Sequence, residues 1–93
     1  MSELNRVIHE PARLTILALL SSVKEADFLY LLRETGLTKG NLSTHLMRLE
    51  EAGYVEIEKG FRARKPLTRI RITAKGRAAF SGYLAAIGKL IGS

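Results

Sequence analysis

Two short stretches, YVEIEK at 54–59 and LTRIRIT at 67–73, alternate apolar and charged residues and read as half-buried strands. Placing Val55 opposite Ile72 and Ile57 opposite Ile70 puts Glu56 opposite Arg71 and Glu58 opposite Arg69 in the same antiparallel register. Apolar pairs and charge pairs therefore select one alignment. The alignment gives Arg69 and Arg71 a role as cross-strand partners, so they do not rank first among ligand contacts. The stretch between the strands, GFRARKP from Gly60 to Pro66, is expected to be a loop, with Arg62, Arg64 and Lys65 lacking acidic neighbours. A cationic tip is either a solubilising surface or a contact for something anionic.

Helical signals flank this hairpin. From Leu37 to Gly53, Thr38 can cap a helix in which Leu42, Leu46 and Leu49 recur on one stripe until Gly53 stops it. At about 100° per residue the opposite face carries Gly40, Asn41, Thr44, Met47, Arg48 and Glu51, with Lys39, Ser43 and His45 towards its flanks. Just before it, Asp27 can cap a short helix FLYLLRET that ends at Gly36, with Phe28, Leu31 and Leu32 as its buried face. Two helices joined through a short glycine turn, the second showing polar and basic residues outward, form a helix-turn-helix arrangement. Upstream, a helical lead over about Leu4–Ile8 precedes a helix from Pro11 to Leu20, apolar nearly all round and expected to be covered on more than one side. After the hairpin Thr73 caps a last helix, and Phe80, Tyr83, Leu84, Ile87 and Ile91 share its apolar face.

Fifteen Lys and Arg stand against nine Asp and Glu, a formal charge of +6, and eight of those cations lie between Lys59 and Arg77 with no acid among them. One segment carries the whole positive excess, the footprint expected for a polyanionic partner, with an acidic protein or an anionic membrane as the alternatives a basic patch also meets. The absence of cysteine excludes disulfides and thiolate chemistry, and His9 and His45, far apart and without companion carboxylates at ligand spacing, make no metal site. No cofactor is expected. No apolar run is long enough to cross a bilayer, and MSELNRVIHE lacks the basic start and apolar core of a signal peptide, so the chain is expected to be soluble and cytoplasmic. Ninety-three residues make one expected domain, whose modest core makes self-association useful.

The order of elements is that of a winged helix-turn-helix domain, an α+β, mainly helical fold with a three-helix core, a two-stranded wing and a C-terminal helix. LTKGNLSTHLMRLEEAGYVE closely resembles the recognition helix and following strand of MarR- and ArsR-like transcriptional regulators, PARLTILALL resembles their first core helix, and RIRITAKGRAAF resembles their second wing strand leading into the last helix. That resemblance implies binding of double-stranded DNA as a homodimer, with the recognition helix in the major groove and the wing on the adjacent backbone or minor groove. It marks Thr38 and Lys39 at the helix start, Asn41, Ser43, Thr44 and Arg48 on the exposed face, and Arg62, Arg64 and Lys65 on the wing. The expected organisation is a helix-turn-helix over about 27–53, a wing over about 54–73 and a dimerisation helix over about 74–92, which is expected to form the homodimer interface together with the N-terminal helical segment. Two family features are missing: the cysteines with which ArsR-like sensors hold a metal, and the longer flanking helices that enclose a ligand pocket in full-length MarR-like proteins. No small-molecule effector is assigned.

Asn41 suits adenine and Arg48 guanine or a phosphate, while Ser43 and Thr44 are versatile short contacts. His45, beside the buried stripe, is expected to be partly packed and bonded to the backbone. Glu50 and Glu51 repel phosphate, so only the first half of the helix is expected to enter a groove. A second class of function, a winged-helix adaptor for another protein, would show an apolar patch in place of the polar face. Single-stranded nucleic acid is weaker, since the wing holds one aromatic, Phe61. No constellation of catalytic residues suggests an enzyme.

Overall fold

The core is one cluster drawn from every major element: Ile16, Leu17 and Leu20 from the first helix, Leu31 from the second, Leu42, Leu46 and Leu49 from the third, and Val55, Ile70 and Ile72 from the hairpin. The structure, a computed structural model, describes residues 4–92. In chain order the elements are α1 (Pro11–Ser21), β1 (Ala26–Asp27), α2 (Phe28–Thr35), α3 (Lys39–Glu51), β2 (Val55–Arg62), β3 (Lys65–Ile72) and α4 (Ala74–Leu90). Burying each of these aliphatic side chains stabilises the fold by roughly 1.5–3 kcal/mol, and only the assembled helices and hairpin can do it.

Every helix begins on a side-chain cap. Glu10 accepts from the Arg13 amide, and Pro11 occupies the first turn of α1, where its missing N–H is harmless. Asp27, Thr38 and Thr73 accept from the amides of Tyr30, Asn41 and Gly76 at 2.7, 3.1 and 2.9 Å. Gly36, at φ 70°, ends α2 and opens the three-residue connection to α3. Gly53, at φ 81°, turns the chain from α3 into β2.

The hairpin register is the one that the apolar and charge pairs select: Val55 faces Ile72, Glu56 faces Arg71, Ile57 faces Ile70 and Glu58 faces Arg69. Both strands nonetheless run further than expected. Lys59 to Arg62 pair with Thr68 to Lys65, so GFRARKP is strand at both ends and only Ala63 and Arg64 form the turn. Both turn residues have positive φ, 50° and 68°, the conformation that lets a two-residue connection follow the strands' twist. A third strand was also not expected. β1, two residues long, pairs with β3 through Ala26–Ile70 and Asp27–Arg69, making a three-stranded sheet of order β1-β3-β2.

The expected helical lead is not a helix. Asn5 takes the amides of Val7 and Ile8 on its own side-chain oxygen at 3.0 and 3.2 Å and donates its amide nitrogen to the Tyr54 hydroxyl at 2.7 Å. A short polar side chain competing for local amides favours a turn over a helix, and turns fill 6–8. α1 meets the expectation of cover on more than one side in part: Leu14 and Leu19 are half-buried beside the buried trio, while Ala18 is exposed. α4 is held to the segment before α1 by the Tyr83 hydroxyl, which pairs with His9 Nδ1 at 2.7 Å, and to the end of α1 by Arg77, which donates to the Ser21 carbonyl at 3.0 Å. Beyond Tyr83 the helix keeps Ile87 half-buried against the core, while Leu84, Leu90 and, just past its end, Ile91 are exposed.

Candidate nucleic-acid interface

With Leu42, Leu46 and Leu49 turned inward, α3 presents Lys39, Gly40, Asn41, Ser43, Thr44, Met47 and Arg48 to solvent. Thr38 and Thr44 are partly occupied. The Thr38 hydroxyl oxygen caps the helix, and the Thr44 hydroxyl donates to the Gly40 carbonyl at 3.0 Å, which leaves its oxygen as an acceptor and its methyl group for apolar contact. Among the described residues the side chains of Lys39, Asn41, Ser43 and Arg48 have no intramolecular polar partner. They are available to a ligand.

His45 is half-buried, as its place beside the stripe suggests, but it does not bond the backbone. Its Nδ1 lies 3.3 Å from Arg13 Nη1 and 3.9 Å from Glu10 Oε1, so the start of α1 holds it away from the outer face. Two basic residues join the surface that the helical pattern did not single out. Arg6 and Arg13 line a groove of about 350 Å³ with Arg48 and Glu51, along the flank of α3 that faces α1. On the other flank, Ser43, Leu46 and Met47 of α3 face Ile57 and Lys59 of β2 and Thr68 of β3 across a cleft of about 330 Å³. Lys59 belongs to this cleft because strand alternation puts it on the same side as Ile57. The signal for it lies in the sequence, since the alternating strand read over 54–59 already ends on Lys59, two residues after Ile57.

The hairpin divides its cations by the same alternation. Arg69 and Arg71 are consumed on the outer face. Arg71 donates to Glu56 at 3.1 Å, Glu58 at 3.4 Å and Glu25 at 3.5 Å, and Arg69 donates to Glu25 at 3.3 Å. Hydrogen bonds that it donates to Glu56 first, then to Glu58, hold the Arg71 guanidinium above its ordinary range. Arg62, Arg64 and Lys65 are exposed and in no ion pair among the described residues. Arg64 is in the turn, while Arg62 and Lys65 face each other on the outer side, where Arg62 borders a hollow with Glu25 and Asp27. The structure therefore does not gather the three expected wing cations onto the α3 side. It leaves Lys59 there instead.

The winged helix DNA-binding domain family matches residues 12–91. The chain belongs to that family. An uncharacterized protein of Methanocaldococcus jannaschii is 42% identical over 79 residues, which cover 85% of this chain and 86% of that one. Among solved structures, a transcriptional regulator homologue from Pyrococcus horikoshii superposes with a TM-score of 0.88 at 30% identity, over 94% of this chain and 86% of that chain. The M. tuberculosis transcriptional regulator MOSR, solved in complex with DNA, superposes with a TM-score of 0.70 at 26% identity, over 86% of this chain and 56% of the longer one. A MarR family transcriptional regulator from Silicibacter pomeroyi shares the fold. The winged-helix regulator resemblance carried by LTKGNLSTHLMRLEEAGYVE and its neighbours stands, with a three-stranded sheet where two strands were expected.

Proposed function

We propose that the protein is a sequence-specific regulator that binds double-stranded DNA as a homodimer, with α3 in the major groove and the hairpin across the adjacent backbone and minor groove. The observation that carries this reading is the division of the surface cations. Arg69 and Arg71 are tied to glutamates, whereas those around the outer face of α3 and the hairpin tip are in no ion pair among the described residues. A surface of unpaired cations beside a helix of short hydrogen-bonding side chains suits phosphates flanking base edges. The end of α3 fits the same orientation: Glu50 joins Glu56 and Glu58 around a shallow acidic hollow that would repel phosphate, so the reading half runs from Thr38 to Arg48. MOSR, a structural neighbour, was solved in complex with DNA, which supports a DNA-binding reading of the fold here.

On α3 Asn41, Ser43 and Thr44 read bases and Arg48 takes guanine or a phosphate, while Lys39 and Lys59 contribute charge beside the helix and Arg62, Arg64 and Lys65 contribute it around the hairpin tip. A two-fold dimer reads a near-palindrome with half-sites roughly 10 base pairs apart. Selection of bound duplexes from a random pool, followed by isotherms over a salt series, tests this. Log K should fall against log salt with a slope of about −5, from ~0.9 per phosphate over about six contacts. Arg64→Ala should weaken binding to all sequences alike, and Asn41→Ala should flatten the preference at particular bases. Binding indifferent to salt, with no enriched motif, would sink the proposal in favour of a protein-docking role.

A further inference from the structure

Among the described residues Phe61 is the one large aromatic that the fold leaves outside, 76% exposed on a strand whose first two inward residues, Val55 and Ile57, are buried and half-buried. Alternation fixes its side. Val55 and Ile57 face the core, Lys59 lines the cleft against α3, and Phe61 is the next residue on that same face, roughly 7 Å further out. Its cross-strand partner is Pro66, also exposed. Phe61 and Pro66 thus form an apolar blade on the α3 side of the hairpin. Lys59 stands behind the blade, Arg64 sits in the turn beyond it, and Arg62 and Lys65 pair on its back.

We propose that this blade is a minor-groove wedge: when α3 lies in the major groove, Phe61 enters the neighbouring minor groove and unstacks a base step. The proposal rests on the DNA-binding reading above. The chemistry of the surround selects the occupant. An apolar blade framed by four cations that are in no ion pair among the described residues matches a ligand with an anionic rim and an apolar interior, which is a duplex groove with its stacked bases. An acidic protein surface satisfies the cations and leaves the phenyl ring wet. The tip is also narrow, since Ala63 and Arg64 adopt left-handed φ with no glycine to ease it, so that only two residues close the hairpin. The minor groove is only ~6 Å wide, so an entering ring must open it, and pyrimidine–purine steps such as TA and CA yield most readily.

The test uses the full chain and a duplex of about 30 base pairs enriched from a random pool, with 2-aminopurine placed in turn at each TA or CA step and a fluorophore pair on the ends. At saturating protein one position should brighten several-fold and the ends should approach each other, as unstacking and bending require. Phe61→Ala should bind roughly tenfold more weakly, as loss of one aromatic–base stack implies, and when saturated should leave the fluorescence at its free-duplex value. Phe61→Thr, which keeps a strand-favouring residue, should behave the same way, so a damaged hairpin cannot be mistaken for a lost wedge. Arg64→Ala should weaken binding yet keep the brightening once saturated. Saturated wild-type complex without brightening, or brightening retained by both Phe61 variants, overturns the wedge alone. No binding to any duplex overturns the wedge together with the reading beneath it.

Discussion

A methyl group added at Gly76 would collide with the carbonyl oxygen of Tyr54 and lie 2.9 Å from Ile72 Cγ1. The approach is close because one threonine joins both ends of the hairpin. Thr73 donates its amide to the Tyr54 carbonyl at 2.9 Å and its hydroxyl to the Gly53 carbonyl at 2.6 Å, while its hydroxyl oxygen caps α4 through the Gly76 amide. Backbone meets backbone where α4 starts, and no side chain fits between. In an open helix Gly→Ala stabilises by about 1 kcal/mol, but forcing a carbon into a packed junction destabilises by roughly 1–3 kcal/mol or more. Gly76→Ala should therefore lower stability in a denaturant titration. Gly40→Ala, where nothing lies within 4 Å, should raise it by about 1 kcal/mol when measured without DNA. If both changes act alike, the contact at Tyr54 is not what requires glycine.

At the scale of elements the hairpin separates what periodicity reveals from what it hides. Its register is visible because two independent chemistries, Val55–Ile72 and Ile57–Ile70 against Glu56–Arg71 and Glu58–Arg69, point the same way. Its length is hidden because Gly60 and Pro66 look like turn residues, although Pro66 sits within β3 and Gly60 pairs with Leu67. β1 is hidden for a different reason: two residues carry no period, and Ala26 and Asp27 become a strand only because Ile70 and Arg69 offer a free edge. The outward face of α3 is legible for Asn41, Thr44 and Arg48, and the side of Lys59 follows from strand alternation, whereas Arg6 and Arg13 enter the surface through tertiary placement that no local pattern shows. The turn carries its own prediction. Ala63 and Arg64 hold φ values that glycine and asparagine adopt far more readily, and left-handed backbone destabilises other residues by roughly 1–2 kcal/mol. Ala63→Asn with Arg64→Gly should raise thermal stability by about 1 kcal/mol and at the same time weaken duplex binding, since the cation at the tip is lost. Thermal unfolding and a binding isotherm on one preparation check both halves. A double variant that melts no higher would mean that the turn stores no strain.

For the whole molecule the unresolved balance is apolar. The chain buries its core around α1, yet α4 reaches past Tyr83 with Leu84 49%, Leu90 69% and Ile91 76% exposed, beside the exposed Ser81, Gly82 and Ala85. Small residues next to large apolar ones let a second helix approach closely, and a two-fold axis through this region would cover the same residues on both copies. Such pairing also serves the proposed DNA reading, because one recognition helix and one wing give few contacts while two copies double them. Side chains already in water in the monomer contribute little to its own stability. Replacing Leu84 and Ile91 with glutamate should therefore leave the circular dichroism and the melting of dilute protein nearly unchanged, and should convert a species of twice the chain mass into a single chain in sedimentation equilibrium at micromolar concentration. The same variant should lose affinity for a two-half-site duplex far more than for a single half-site. A wild-type protein that sediments as one chain under those conditions would remove the dimer, and with it the expectation of a palindromic site.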